Sequence, residues 1–327
     1  MRIAYALVVK IISHNFFNFL ILLMKQTLIL FLAAAVLFSC KKNSSNPKRP
    51  RIITDTLMVY SQKMANGKSV LKTKSYKTGE TKTLFYDASA PFATNLRVVY
   101  IKSGNTLGYA KLDGVSRLFI TLTQPSSPTL SLDTRLICLV DKPADKYQLL
   151  KYDTLGNKTT LFETTNEITF PSFSSDGQKI VFVQKTTPNS SSIFLIPITG
   201  GTPQRITPTL PDIYDEYCTV TRETVYFTRS HMIDSTLSSE IFSSNFSGSS
   251  ITQLTNFTND WTTPSFFIKD LRKVSYGIDS SSLICVSNYN STNSDIYLYK
   301  IGGDLTRVTE TNEPESFPSY IPNYVRE

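Results

Sequence analysis

The sequence predicts an all-β protein: a six-bladed β-propeller whose blades are four-stranded and antiparallel. The first observation is a repeat in which a glycine-containing turn is followed by a short run rich in Thr and branched apolar residues. The six turns centre on Gly79, Gly114, Gly156, Gly201, Gly248 and Gly303. Their separations of 35, 42, 45, 47 and 55 residues are close to the ~40–50 residues of one propeller blade.

The two ends of the repeat region supply the second observation. The run from Thr54 to Ser61 is followed by one hairpin, Val70 to Tyr76 and Thr81 to Tyr86, so blade 1 has strands B, C and D but no strand A. Phe317 to Ile321 reads as a strand A without a blade of its own. We expect this segment to complete blade 1 and close the ring, which would leave no exposed sheet edge.

Blade 4 carries the clearest single repeat. Pro171-Ser172-Phe173 leads through Asp176-Gly177, a strong tight-turn signal, into Ile180-Val181-Phe182-Val183. These runs predict strands A and B. Ser192 to Pro197 then predicts strand C, and Gln204 to Thr207 predicts strand D.

These motifs resemble the repeat of the TolB-like family of propellers, P-x-F/W-S-x-D-G-x-x-I-x-F followed by I-Y-x-x-x-x-G-G and R-L-T. The pattern returns as Asp295 to Gly303 with Arg307-Val308-Thr309, and more weakly as Glu240 to Gly248 with Gln253-Leu254-Thr255. The resemblance covers residues 54 to 322, with its specific motifs in the second half. It implies a WD40-like (PD40) propeller of the periplasm.

One stretch between Gly248 and Gly303 offers two candidate A/B pairs. Pro264-Ser265-Phe266 can lead to Val274-Ser275-Tyr276, or Lys273 to Ile278 can lead to Leu283 to Ser287. We favour a long insertion in the last blade, because Pro264-Ser265-Phe266 copies Pro171-Ser172-Phe173.

The N-terminal region predicts a lipoprotein signal. Residues 1–39 read as a leader, in which Met24-Lys25-Gln26 opens a basic region that Met24 could itself begin, and Thr27 to Phe38 is an apolar run. Leu37-Phe38-Ser39-Cys40 resembles a lipobox, with Cys40 as the lipidated residue. A membrane-spanning helix over Phe16 to Ser39 is the alternative, although Lys25 would be costly near its middle. Residues 40–52 predict a polar, basic tether, and residues 53–327 the propeller.

Charge and cysteine usage exclude several classes of function. The formal charge of +8 includes three basic residues in the leader and five in the tether, so the propeller is close to neutral and a nucleic-acid partner is not expected. Cys138, Cys218 and Cys285 lie in apolar or β-rich runs, which predicts buried thiols rather than a disulfide or a metal site. The sequence predicts no cofactor and no metal.

Catalytic signatures are also missing from the sequence. His231 is the single histidine after the leader, no G-x-S-x-G motif accompanies it, and one imidazole does not provide a zinc site. The residues therefore favour a non-enzymatic role and predict no catalytic residue. Lyase or glycosidase chemistry on two carboxylates stays open.

Strand order predicts which face of the propeller carries the binding site. The D-to-A connections and B-to-C loops emerge on one face and are longer than the A-to-B and C-to-D turns on the other. We expect acidic and aromatic residues of the first face to form a binding site. The candidates are Asp212, Tyr214, Asp215, Glu216, Asp260, Trp261, Glu313, Glu315 and, from a B-to-C loop, His231.

The function expected from these residues is a monomeric, lipid-anchored interaction module of the bacterial envelope. Its partner would be an envelope protein or peptide segment, with a glycan as the alternative ligand. The lysines after Cys40 favour an outer-membrane anchor that faces the periplasm.

Overall fold

The structure is a computed structural model that describes residues 53–94, 97–221, 223–233, 236–257, 268–273, 282–288 and 294–326. In chain order its strands are β1 (Ile53–Lys63), β2 (Ser69–Ser75), β3 (Thr81–Tyr86), β4 (Ala88–Thr94), β5 (Arg97–Lys102), β6 (Thr106–Lys111), β7 (Ser116–Thr121), β8 (Ser126–Leu130), β9 (Leu136–Asp141), β10 (Tyr147–Asp153), β11 (Lys158–Thr164), β12 (Ile168–Phe173), β13 (Lys179–Thr187), β14 (Ser190–Pro197), β15 (Gln204–Arg205), β16 (Ile213–Thr221), β17 (Thr224–Ile233), β18 (Thr236–Asn245), β19 (Ile251–Gln253), β20 (Ile268–Lys273), β21 (Ser282–Ser287), β22 (Asp295–Lys300), β23 (Leu305–Arg307) and β24 (Glu315–Arg326). Within these ranges, no helix is long and apolar enough to cross a membrane.

The described strands form six antiparallel blades of four strands each. Blade 1 has the order β24-β1-β2-β3, and blades 2 and 3 are β4 to β7 and β8 to β11. Blades 4, 5 and 6 are β12 to β15, β16 to β19 and β20 to β23, and one parallel pair, Ser191 with Tyr214, links blades 4 and 5. The predicted six-bladed propeller is confirmed.

Closure of the ring depends on the last strand. β24 is antiparallel to β1, with Ile53 opposite Arg326 and Val59 opposite Ser319. The innermost strands β4, β8, β12, β16, β20 and β24 each contact the next around the circle. The prediction that the C-terminal segment supplies strand A of blade 1 is therefore confirmed.

Hydrophobic clusters fill every interface between adjacent blades. Alternate residues of a strand point to opposite faces of the sheet, so each blade presents apolar side chains to both of its neighbours. The cluster of Met58, Tyr60, Ile284, Val286 and Ile296 joins blade 6 to blade 1. The core is thus continuous around the ring, and no blade forms an open end.

The repeated glycines lie in the C-to-D turns, and Gly248 and Gly200, the neighbour of Gly201, show why glycine is needed there. Gly248 has φ +75°, and a Cβ there would lie 2.1 Å from the carbonyl oxygen of Ile206 in blade 4. Gly200 has φ +85°, and its Cβ would lie 2.9 Å from the carbonyl oxygen of Leu161 in blade 3. The absence of a side chain lets each turn approach the backbone of the preceding blade.

The Asp-Gly turn of blade 4 has a counterpart in blade 3 that the sequence did not predict. Asp176 accepts hydrogen bonds from the Ser174 hydroxyl at 2.5 Å and the Gln178 N–H at 3.0 Å. Asp133 accepts the same two bonds in blade 3, from Ser131 at 2.6 Å and from the N–H of Arg135 at 3.1 Å. Thr134, with φ 61°, occupies the glycine position there, which hid the repeat.

The last blade corrects the expected strand assignment. Its strands A and B are β20 and β21, with Ile268 opposite Ser287 and Lys273 opposite Leu283. β21 matches the strand B that was predicted over Leu283 to Ser287. Strand A, however, ends at Lys273, the residue at which the second candidate for strand A was predicted to begin. Pro264 to Phe266 and Val274 to Tyr276 lie outside the described residues. The similarity of Pro264-Ser265-Phe266 to Pro171-Ser172-Phe173 therefore did not identify strand A of this blade, which is defined by its pairing with β21.

Candidate functional site

The candidate acidic residues of blade 5 lie in strands rather than in a D-to-A loop. Tyr214, Asp215 and Glu216 belong to the first half of β16, and His231 lies opposite Ile213 in β17. Asp212 is exposed in the turn before β16, with φ 56°. The expected loop placement was wrong because antiparallel pairing with β17 begins at Ile213, immediately after that turn.

Pairing divides these residues between the two faces of the blade. Tyr214 lies opposite Ser230 and Glu216 opposite Thr228, whereas Asp215 lies opposite Arg229. Since neighbouring residues of a strand point to opposite faces, Tyr214 and Glu216 share one face, and Asp215, Arg229 and His231 share the other. The structure therefore brings together only part of the predicted set.

Asp215 is held in a buried ion pair. Arg229 Nε donates to Asp215 Oδ1 at 2.7 Å and Nη2 donates to Oδ2 at 2.9 Å. The guanidinium also lies 4.8 Å from the ring centre of Phe242. Burial raises the pKa of Asp215, and the Arg229 guanidinium opposes that rise. This carboxylate is held by Arg229 and has a structural role.

Glu216 is the acidic residue that the structure leaves available. Its side chain is half-buried in the first half of β16, and Glu167 is exposed in the connection before β12. Burial, followed by the negative charges of Asp215 and Glu167, raises the pKa of Glu216 to about 7. Across the described part of the chain, no ion pair neutralises Glu216 or Glu167. A cation at this place would relieve the repulsion.

Glu315 is also structural, contrary to the expected loop position. It lies in β24, only 1% exposed, and accepts a hydrogen bond from the Thr309 hydroxyl. Thr309 in turn accepts the N–H of Ile296 at 2.9 Å. Burial raises the pKa of Glu315 to about 7. Glu313 lies half-buried in the preceding connection, where its carbonyl accepts from Thr311 at 2.8 Å.

The Thr of the R-x-T motif makes the same bridge in other blades. Thr207 accepts the N–H of Ile193 at 2.9 Å, and Thr255 accepts that of Ile241 at 2.8 Å while donating to Glu240. The motif that carries the family resemblance therefore fixes the end of strand D against strand C. It does not form a ligand site.

A ring of strained residues in the innermost strands was not predicted. Each strand A contains a β-bulge and one non-glycine residue with positive φ. These residues are Ala90 (φ 48°), Ser127 (49°), Phe170 (50°), Tyr217 (49°), Asp270 (53°) and Phe317 (53°). Proline follows four of them, at 91, 128, 171 and 318, and that spacing was the available signal. A bulge re-aims the side chain of its strand.

The ring narrows the central channel. Phe170 and Tyr217 have ring centres 4.3 Å apart, and Asp270 accepts the N–H of Phe317 at 3.0 Å. The Arg272 guanidinium lies 5.0 Å from the ring centre of Phe92. Burial lowers the pKa of Arg272 to about 10, and the negative charge of Asp270 opposes that decrease. A cavity of about 20 Å³ remains between these residues, enough for one or two waters. This cavity is too small for a larger ligand.

A second concavity lies between blades 1 and 2 on the same face. Its volume is about 410 Å³, and Lys68, Asp87, Lys102 and the Ser103–Asn105 loop line it. Lys68 pairs with Asp87 at 3.2 Å. Among the described residues, no group of three or more His, Cys, Asp and Glu side chains is arranged to hold a metal ion.

The remaining predicted residues are three that lie outside the described part of the chain and three cysteines. Asp260, Trp261 and Cys40 lie outside the described residues. Cys138, Cys218 and Cys285 are buried and free of disulfides, as expected. Burial raises the pKa of all three thiols, so they are poor nucleophiles.

Comparison with solved structures supports the fold. TolB from Acinetobacter baumannii superposes with a TM-score of 0.61 at 10% identity, over 81% of this chain and 66% of that one. A protein named TolB from Agrobacterium tumefaciens gives 0.59 at 14% identity, over 82% and 99% of the two chains. An oligogalacturonate lyase in complex with manganese gives 0.53 at 12% identity, over 78% and 74%.

These similarities show a TolB-like β-propeller fold. At such identities they show the fold alone, and this chain spans somewhat less than two thirds of the Acinetobacter protein. No protein-family model and no curated protein sequence matches the chain.

Proposed function

We propose that this protein is an interaction module of the bacterial envelope that binds a cationic segment of a partner protein at the mouth of its channel, beside blade 5. The observation that carries the proposal is Glu216. It is a half-buried carboxylate with a pKa of about 7, next to the negative charges of Glu167 and Asp215. Such a group favours a lysine or arginine side chain, because the cation offsets both burial and repulsion. The TolB-like fold supports a binding role.

The proposed location follows from the N-terminal sequence. Cys40 after Leu37-Phe38-Ser39 is the proposed lipid attachment site, with the basic segment 41–51 as the tether. We propose that the anchor lies in the outer membrane and that the propeller faces the periplasm. Metabolic labelling with an alkyne-tagged fatty acid should label the wild type and not Cys40→Ser. Label on Cys40→Ser would contradict the anchor, and digestion of the propeller by protease added to intact cells would contradict its orientation.

The binding proposal predicts a titration that a defined probe measures. Affinity for a fluorescent tetralysine peptide should rise as the pH increases from 6 to 8, because Glu216 loses its proton in that interval. Glu216→Gln should lower the affinity about five- to tenfold at pH 8 and remove most of this pH dependence, in line with 1–1.4 kcal/mol for one charge-assisted contact. Glu80→Gln, in a C-to-D turn on the opposite face, is the matched control and should change neither.

Capture from an envelope extract then tests for a natural partner. Wild type should retain proteins that Glu216→Gln and Trp261→Ala lose, while Glu80→Gln should retain the wild-type set. Identical recovery by all four proteins would exclude this mouth as the binding site.

The carbohydrate-active alternative has weaker geometric support. Glycosidic chemistry needs two carboxylates flanking one bond. Asp215 and Glu216 point to opposite faces of β16, and Asp215 is occupied by Arg229. Thermal-shift screening against acidic oligosaccharides distinguishes the two functions, since a stabilising oligosaccharide would favour the alternative.

A further inference from the structure

Exposed hydrophobic side chains are confined to one half of the described ring. They are Met64, Tyr76, Tyr86, Val115, Phe119 and Leu155, all in blades 1 to 3. Large exposed apolar groups that cluster on one side of a protein mark an interaction surface. Met64 and Tyr86 lie at the B-to-C and D-to-A end of blade 1, whereas three of the others lie in C-to-D turns.

Three of these residues lie at equivalent places in successive blades. Tyr76 is in the turn between β2 and β3, Val115 between β6 and β7, and Leu155 between β10 and β11. Their exposed fractions are 60%, 57% and 83%. Because the C-to-D turns of all blades emerge on one face, these three side chains form a row on the outer edge of that face. We call this row, with its three turns, the C–D rim.

In blades 4 to 6 the apolar residues of the C-to-D turns are not exposed. Ile198, Phe246 and Ile301 are half-buried and pack against the hydrophobic clusters. The exposed row is therefore a property of blades 1 to 3 and not of the repeat.

Charge follows the same division. Residues 53–164 contain 15 Lys and Arg against 9 Asp and Glu, whereas residues 165–327 contain 11 against 17. The near-neutral propeller thus combines a half of net charge +6 with a half of net charge −6. Exposed lysines flank the rim at Lys77, Lys82 and Lys158.

The acidic residues of the rim are largely engaged in their own turns. Asp113 accepts the N–H of Val115 at 2.9 Å. Asp153 accepts the N–H groups of Leu155 and Asn157, each at 2.9 Å. Glu80 pairs with Lys82 at 3.0 Å. These carboxylates are thus held within their own turns, whereas the side chains of Lys77 and Lys158 are exposed beside them.

The chain enters the propeller on this same face. β1 begins at Ile53, opposite Arg326 at the end of β24, which is the end of blade 1 where A-to-B and C-to-D turns emerge. The preceding segment contains Lys41, Lys42, Lys48, Arg49 and Arg51. These five basic residues precede β1 in the sequence.

We propose that the C–D rim of blades 1 to 3 docks on the surface of an anionic lipid bilayer. Lysines interleaved with exposed aromatic and aliphatic side chains have the composition that binds at a bilayer interface, with the cations at anionic headgroups and the apolar groups below them. This orientation would leave the opposite face, with Glu216, open to a partner. The inference goes beyond the proposed function and does not depend on lipidation of Cys40.

Depth-dependent quenching in the full-length chain tests the proposal. Leu155→Trp and Asn189→Trp place a fluorophore on the rim and on the exposed B-to-C loop of blade 4 on the opposite face, above the background of Trp261. Each protein is reconstituted into vesicles with acyl-chain-brominated phospholipids, either phosphatidylcholine alone or a mixture with phosphatidylglycerol. Emission of the parent chain is subtracted.

The expected result is at least twofold more quenching of Leu155→Trp in anionic than in neutral vesicles, with no added quenching of Asn189→Trp. Adding Lys77→Glu and Lys158→Glu should at least halve the effect, whereas Lys63→Glu with Lys102→Glu, on the opposite face, should leave it intact. Equal quenching of the two tryptophans, equal quenching in both lipids, or none in anionic vesicles would overturn the proposal. Burial of the rim against a second copy of the chain would give that last result.

Discussion

The hydroxyl of Ser319 accepts a hydrogen bond from the backbone N–H of Ala93 at 3.1 Å. Ser319 lies in β24 and pairs with Val59 in β1, while Ala93 lies in β4 of blade 2. Ser319 therefore contacts the first strand through its backbone and the next blade through its side chain. The closed ring depends on such contacts between segments that are distant in sequence.

Ser319→Ala should lower the free energy of unfolding by about 1–3 kcal/mol, because the buried N–H of Ala93 loses its acceptor. Urea unfolding monitored by circular dichroism measures the change. Ser316→Ala, at a half-buried position in the same strand, is the control and should cost less than ~0.5 kcal/mol. Removing residues 315–327 should lower stability far more and expose the edge of β1 to aggregation.

Arg229→Met should destabilise the fold by about 3–5 kcal/mol, since it leaves the Asp215 carboxylate buried without its cation. The double variant Arg229→Met with Asp215→Leu should recover most of that loss, because neither member of the pair then remains. Thermal unfolding of the three proteins checks this order. Equal stability of the single and double variants would show that packing, not charge, dominates at this site.

Gly108→Ala should destabilise blade 2 by about 1–3 kcal/mol through overpacking. An added Cβ would lie 2.4 Å from Cζ of Tyr100, whose ring stacks on Phe85 with centres 4.5 Å apart. The same substitution in a Tyr100→Ala background should cost markedly less, which a double-mutant cycle of urea unfolding measures. Additive effects would contradict the steric cause.

Stability should decline as the pH rises through neutrality. Glu315 and Glu216 have folded-state pKa values of about 7, above the usual value for glutamate. The protonated groups stabilise the fold fully below pH ~4.5, and that stability is lost as the pH rises through about 7. For Glu315 the loss is on the order of 3 kcal/mol.

Glu315→Gln should therefore flatten the stability profile between pH 5 and 8. Chemical unfolding across that interval measures it. Glu163→Gln is the control, because the hydrogen bond from Lys146 lowers the pKa of Glu163 and its effect lies at lower pH. A profile that rises with pH in the wild type would refute the assignment.

Much of the fold follows from the sequence because its determinants are local. Alternation of apolar residues predicts strands, and glycine is needed where turns such as that of Gly248 touch the preceding blade. Thr134 shows the limit of this reasoning. It adopts the glycine conformation without being glycine, because the Ser131 and Asp133 side chains fix the turn.

The candidate site was less predictable because neutralisation of charge is not local. Asp215 and Glu216 are adjacent, yet one is paired with Arg229, 14 residues away, and the other is not. The sequence predicts Glu315 at the surface, but it is buried because β24 forms the innermost strand of blade 1. The ring of positive-φ residues depends on six inner strands meeting at one axis.

The sequence by itself determined the number of blades, the glycine turns and the closure by the final strand, since these depend on period and on the count of strands at each end. The tertiary structure decided which carboxylates are available, which aromatic groups narrow the channel and which turns carry exposed hydrophobic residues. These properties depend on burial and on partners from other blades, which only the closed ring brings together.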